Sequence, residues 1–220
     1  MRITRAVSPY LASNMYAVIE RGAAVVVDPF DDGGKAVGDA RVVAILLTHE
    51  HSDHLSGANA YRERYACPIV CTRLCAERAA SPRQNLSEYF DAFLQMEGFA
   101  QYCSGSATMQ PFSLALAGGF EREAAGDWLG HAWRLFATPG HSAGSMCILL
   151  DQRALFTGDT LLKGRETATG LPGGSARELA AVTIPRLMAL DRTLRVYPGH
   201  FAPFRLGDSP MLAGDRHGRG

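Results

Sequence analysis

Apolar residues in this chain come in short blocks, and most blocks stop at a Gly, Pro, Asp or His. "MYAVIERG" and "AAVVVDPF" (15–22 and 23–30) are strand-like runs that meet at Arg-Gly, which reads as a hairpin. "RVVAILLT" (41–48) is apolar without alternation, the pattern of a strand buried on both faces. A polar stretch follows it, and then "HLSGANAYRERYA" has helical periodicity. "CPIVCT" reads as a strand and "RLCAERAAS" as a short helix. In the second half, "HAWRLFAT", "SMCILLD", "RALFTGD" and "LRVYPGH" each run apolar into a turn. "SARELAAVTIPRLMAL" is a helix that Pro185 should kink or split.

Residues 84–110 interrupt this rhythm. "QNLSEYFDAFLQMEGF" sets Leu86, Tyr89, Phe90, Phe93 and Met96 or Glu97 at helical spacing, with Asn85 and Glu88 as a capping box. "CSGSATMQP" after it reads as a loop, and the pair suits a substrate-covering lid. The tail "GDSPMLAGDRHGRG" is Gly-rich and is expected to fray. With no repeat and no linker, the pattern predicts one α/β domain over 1–220. It carries a helical and loop insertion at 84–125 and sets two sheets face to face.

Composition narrows the function. The chain has 220 residues, 47% hydrophobic, and its 22 Lys+Arg match its 22 Asp+Glu. A zero formal charge argues against a nucleic-acid partner, which would select a basic surface. "MRITRAVSPYLASNMY" lacks the apolar core of a secretory signal, and no apolar run is long enough to span a bilayer. A cytoplasmic protein acting on a small molecule, with no membrane partner, is expected. Five cysteines, an odd number, suit reduced thiols. Cys67, Cys71 and Cys75 are spaced four apart, which fits neither a zinc knuckle nor a redox pair, and they read as small core residues.

Four segments place a ligand-type side chain directly after an apolar strand: "LLTHEHSDH", "FATPGHSAG", "ALFTGDTLL" and "RVYPGH". They supply His49, His51, Asp53 and His54, then His141, Asp159 and His200. In extended backbone, residues i and i+2 share a side, so His49 and His51 can address one ion with Glu50 turned away. A helical turn at Asp53 and His54 would aim those two at a neighbouring position. Seven nitrogen and oxygen ligands exceed one tetrahedral site but suffice for two ions if a carboxylate bridges. Such a set accepts zinc, iron or manganese and leaves coordination positions open for water. His131 sits within a strand and His217 in the tail, so neither joins the set.

These segments resemble the metallo-β-lactamase superfamily, whose marks "THEHSDH", "TPGHSAGS", "FTGDTLL" and "YPGH" occur here in the family's order. The resemblance implies an αββα sandwich of two packed mixed sheets flanked by helices, with a dinuclear centre at one edge. It implies that His49, His51 and His141 hold one metal, that Asp53, His54 and His200 hold the other, and that Asp159 bridges. "GDTLLKGRETATGLPGGS" before "RVYPGHFAP" is most similar to single-domain glyoxalase II-like proteins, the hydroxyacylglutathione hydrolases. The activity so implied is hydrolysis of a carbonyl ester or thioester by a hydroxide held between two divalent ions, Zn2+ in the first instance. Asp53 and Asp159 would be the catalytic carboxylates. Lys163 and Arg165, just after the bridging Asp, would contact substrate, as would the 84–125 insertion. Three alternatives stay open: a lactonase, a persulfide dioxygenase-like oxidoreductase with one iron on His49, His141 and Asp159, and a binding or sensor protein with little turnover.

Overall fold

A computed structural model describes residues 1–30, 33–95, 101 and 109–212. Its first sheet has the spatial order β1 (Arg2–Val7), β2 (Asn14–Glu20), β3 (Ala23–Val27), β4 (Arg41–Leu46), β5 (Ile69–Val70). The first three strands are antiparallel, and β3, β4 and β5 are parallel. The Arg-Gly hairpin forms as expected. Arg21 and Gly22 both take left-handed φ, 48° and 77°, the conformation a two-residue hairpin loop demands.

The second sheet has the order β11 (Phe204–Arg205), β10 (Arg195–Pro198), β9 (Ala154–Gly158), β8 (Met146–Leu150), β7 (His131–Ala137), β6 (Glu123–Trp128). Strands β6 to β9 pair antiparallel, and β10 joins β9 in parallel. Consequently β7, β9 and β10 run the same way and end at one edge of the sheet.

Strands β1, β6 and β11 have no counterpart in the apolar pattern. All three lie at sheet edges, where a strand needs no continuous apolar run and often carries charge. "EAAGDW" accordingly alternates exposed with half-buried positions, "RITRAV" has no fully buried position, and β11 has only two residues.

The period-two alternation sorts the side chains into layers. Tyr16, Val18, Val25, Val27 and Leu46 of the first sheet meet Trp133, Leu135, Ile148, Leu150 and Phe156 of the second in one buried core. Intervening residues such as Met15, Ala17, Val26 and Ile45 face away, onto Leu55, Ala58, Tyr61 and Cys75. These belong to helices α2 (Ser52–Leu55), α3 (Ala58–Tyr65) and α4 (Arg73–Ala79), which follow α1 (Gly34–Val37) along the chain. On the far side, Phe136, Cys147, Leu149, Leu155 and Val196 pack against Leu187, Leu206 and Leu212. The result is two mixed sheets with helices outside both, the layered sandwich expected.

Helix α5 (Phe90–Gln95) follows a 3-10 turn at Ser87–Tyr89, so the helix read from residue 84 begins only at Phe90. Asn85 does not form the predicted capping box with Glu88. Its Oδ1 accepts from Ser87 N, and its Nδ2 donates to the carbonyls of Ala79 and Phe112, pinning the segment's start to its return. Met96, Glu97, the loop at 102–108 with Cys103, and the tail beyond 212 lie outside the described residues. Before Pro185 the helix changes its hydrogen-bond pattern while its backbone stays right-handed helical at both junctions. A π-turn over Leu179–Thr183 separates α6 (Ala176–Glu178) from α7 (Ile184–Met188) and absorbs the missing amide. Cys67, Cys71, Cys75 and Cys147 are buried free thiols. Among the described residues no helix is long and apolar enough to cross a membrane.

Candidate metal centre

Strand β4 gives out at Leu46, and His49 to His51 continue from it. His51, with φ −70° and ψ 141°, is still extended and forms the N-cap of α2, whose single turn carries Asp53 and His54. From the other sheet, His141 follows β7, Asp159 follows β9 and His200 follows β10. The seven residues read from four sequence segments therefore converge where β4 of one sheet meets the common edge of the other.

The side chains form two overlapping groups. In the first, the ligand atoms of His49, His51 and His141 lie within 4.8 Å of one another, and His141 Nε2 is 3.0 Å from His51 Nδ1. In the second, His54 Nε2 is 3.3 Å from His200 Nε2, and each lies 3.4 Å from Asp53 Oδ2. Asp159 stands between them. Its Oδ2 is 3.7 Å from His141 Nε2 and 3.4 Å from His200 Nε2, and its Oδ1 is 3.5 Å from His54 Nε2.

Cations fit this donor set. His49 Nε2 and Asp159 Oδ1 are buried and make no hydrogen bond. Unpaired buried polar atoms cost about 1–3 kcal/mol each, and histidine nitrogens crowded at 3.0–3.3 Å satisfy one another only by sharing a proton. An ion in each group would engage all of these atoms at once.

Behind the ligand atoms lies a chain of hydrogen bonds that the sequence reading missed. Asp28, buried at the end of β3, accepts at Oδ1 from Thr48 N (2.7 Å) and at Oδ2 from Thr48 Oγ1 (2.6 Å). His54 Nδ1 lies 3.1 Å from the same Oδ2, and His49 Nδ1 lies 3.0 Å from Thr48 Oγ1. A carboxylate only accepts, so His54 carries its proton on Nδ1. The Thr48 hydroxyl spends its proton on Asp28, so it accepts from His49 Nδ1. One carboxylate thus bares Nε2 of a histidine in each group. Asp28, His49 and His54 also form a close trio, but the ring nitrogens facing Asp28 and Thr48 are those committed to these bonds. The signal was available, since Asp28 follows an apolar strand just as Asp159 does.

The remaining ring is held similarly, with His141 Nδ1 2.9 Å from the carbonyl of Ala168. Ser13 Oγ donates to the carbonyl of Asp53 (2.8 Å). Glu50 does turn away from the ligands, and it is more than a spacer. Fully buried, it takes a hydrogen bond from Ser142 Oγ (2.8 Å) and pairs with Arg78 Nε (2.6 Å), tying the histidine stretch to the loop that bears His141.

Without metal, the centre's charges balance through protons. Burial, reinforced by neighbouring imidazoles, holds His49 well below its usual 6.5 and drives His51 down to about 3. Burial also disfavours charge on His54, but Asp53 and Asp159 outweigh it and raise the ring to about 9. His200 rises well above its usual value for the same reason. Burial alone would lift Asp53 and Asp159, yet the adjacent imidazoliums hold both carboxyls low. Protonated His54 therefore stabilises the metal-free fold fully below about pH 6.5 and ceases to do so as pH rises through about 9, and the raised His200 acts in the same direction. His49 and His51, reluctant to ionise, oppose folding as pH falls below about 6.5. Metal-free protein should accordingly show its highest Tm near pH 6.5 to 7 in a calorimetric pH series and lose stability towards pH 9. Added Zn2+ should abolish the alkaline decline, because ions then replace the protons.

The centre opens into a cavity of about 570 Å3 with mostly apolar walls, bordered by His51, Asp53, His141, Asp159 and His200. Arg165 lines it, and so do Leu86 and Phe93 from the 84–125 segment. Lys163 does not: it borders a separate, smaller cavity with Arg195 and Arg205. His131 lies apart, with Nδ1 2.6 Å from Asp151 Oδ2. His217 lies outside the described residues.

Comparison with known proteins gives a consistent outcome. A family model described as "Metallo-beta-lactamase superfamily" matches residues 9–200. An uncharacterized protein of Mycobacterium tuberculosis (strain H37Rv) is 29% identical, over 98% of this chain and 95% of its own length. The probable polyketide biosynthesis zinc-dependent hydrolase BaeB of Bacillus velezensis is 28% identical, over 84% of this chain and 71% of its own. Among solved structures, the BLEG-1 B3 metallo-beta-lactamase superposes with a TM-score of 0.79 at 24% identity, covering 97% of this chain and 100% of that one.

Proposed function

The chain belongs to the metallo-β-lactamase superfamily, and from that premise we propose that it is a dinuclear metal-dependent hydrolase of a carbonyl ester or thioester, in the manner of glyoxalase II. The observation that carries this reading is the pair of three-residue clusters with Asp159 between them, within 3.4–3.7 Å of a ring nitrogen from each. His49, His51 and His141 would hold one ion, Asp53, His54 and His200 the other, and Asp159 both. Two divalent ions so placed would lower the pKa of a water to about 7 and polarise the substrate carbonyl. Zinc is the ion proposed, after the zinc-dependent relative from Bacillus velezensis.

The protein's own groups complete the chemistry. Asp53 borders the cavity, so besides holding metal its carboxylate can accept a hydrogen bond from an attacking water and orient it. The Ser13 bond to the Asp53 carbonyl fixes the turn that presents that carboxylate. Apolar walls exclude bulk water and strengthen the electrostatics within.

The test is metal analysis of the purified protein, paired with hydrolysis of a panel of thioesters, esters and lactones. Two ions per chain and thioester or ester turnover are expected. One iron per chain, with oxygen consumed on a persulfide and no hydrolysis, would overturn the proposal.

A further inference from the structure

The cavity walls are shaped by backbone that ordinary residues avoid. Among the described residues ten other than glycine have left-handed φ, and four of them, Leu11, Ala12, Leu86 and Phe201, line this one cavity. Apolar side chains gain nothing locally from that conformation, and its cost is tolerated where the surroundings hold it for a purpose. Leu11 and Ala12 sit at φ 53° and 55° in the loop between β1 and β2. That loop is clamped at its base by the Ser8 N to Ser13 O bond (2.8 Å) and at its end by Asn14 N to Gly199 O (2.6 Å).

Phe201 is held most firmly. It directly follows His200 and has φ 65°. Its carbonyl accepts from Arg5 Nη1 (3.0 Å) and from Asn14 Nδ2 (2.8 Å), and the Arg165 guanidinium stacks 4.8 Å from its ring centre. Residues from β1, from β2 and from the loop after Asp159 therefore converge to fix one aromatic beside the metal centre. Leu86, Phe93 of α5 and Leu171 add to the lining, and Val7, 51% exposed, extends the apolar surface.

We propose that this wall is the specificity element of the enzyme, and that it selects substrates bearing an apolar chain of medium length. The inference rests on the hydrolase reading for the reaction, but not for the binding of the chain. About 570 Å3 is ample for a small ligand and more than a two- or three-carbon acyl group fills. The cations at its edge are engaged with Phe201, so the selecting surface is apolar.

The test uses metal-loaded protein and thioesters of one small thiol with acetyl, butanoyl, hexanoyl and octanoyl groups. The kcat/KM should climb by up to about fourfold per buried methylene, the worth of transferring that group out of water. Phe201→Ala and Leu171→Ala, on separate loops, should each flatten the climb, with metal content confirming that each variant folds. A calorimetric series with unbranched alcohols from butanol to octanol reads the chain pocket without any chemistry. Affinity should rise with length, and the heat-capacity change should become more negative. A flat series in both experiments overturns the proposal, as does a slope that both variants preserve. Length-dependent alcohol binding without hydrolysis of any thioester or ester would leave the chain pocket standing and sink the hydrolase reading alone.

Discussion

Asp159→Ala should lower kcat/KM on the best thioester substrate about a thousandfold and reduce bound metal from two ions per chain towards one. Asp159 has an oxygen 3.7 Å from His141 Nε2 of one cluster and 3.4 Å from His200 Nε2 of the other, the ring nitrogens left open to an ion. Each cluster keeps three ligands without it, but both ions lose a ligand and their shared position, and the weaker site empties first. The several kcal/mol of transition-state stabilisation that a correctly placed metal pair provides converts to about three powers of ten in rate. The carboxylate has no freedom to be replaced by a neighbour. A side chain at Gly199 would collide with it and with the His54 ring, so the backbone after β10 is packed directly onto it. His131→Ala serves as the control, because that ring pairs with Asp151 away from the centre. Full metal content with undiminished turnover in Asp159→Ala would sink the bridging role.

The reason Asp159 could be found in the sequence at all is physical. A buried strand reads as an unbroken apolar run, and a polar residue at its end stands out against it. That contrast revealed β4, β7, β9 and β10 together with the residues that follow them, and so the whole set at the centre. The same contrast was weak or absent elsewhere. The edge strands β1, β6 and β11 have no apolar run to end, so they were silent. The cavity wall was silent for another reason. Leu11, Leu86 and Phe201 look ordinary in one dimension, and only their left-handed backbone and shared cavity mark them out. Lys163 and Arg165 are two residues apart in the chain, yet a tight turn closed by the Leu162–Arg165 bridge sends them to different cavities. Sequence proximity to Asp159 could not separate them.

Asp28→Asn should weaken metal binding about 10–100-fold, the usual consequence of disturbing a group that orients a ligand histidine, and it should do so at both ions. Asparagine keeps the size of the side chain and tolerates the φ of 52° at this position, so the backbone is not the cause. The difficulty is the hydrogen-bond arithmetic. Asp28 Oδ2 accepts from both the Thr48 hydroxyl and His54 Nδ1, and Oδ1 accepts from Thr48 N. An amide NH2 in the place of Oδ2 would confront two donors. Flipping the amide would instead set the NH2 against the Thr48 backbone donor. Relief requires the Thr48 hydroxyl to turn and His54 to move its proton to Nε2, the atom that faces His200 at 3.3 Å. If the hydroxyl turns, His49 Nδ1, 3.0 Å from Thr48 Oγ1, loses its acceptor and the other cluster loosens too. Thr48→Val separates the branches, because it removes the His49 partner and leaves His54 on Asp28. Chelator-competition titrations should therefore show both ions weakened in Asp28→Asn and only the His49, His51 and His141 ion weakened in Thr48→Val. If Asp28→Asn binds both ions as tightly as the unaltered protein, Asp28 does not set the tautomers and the histidine rings are held by packing alone.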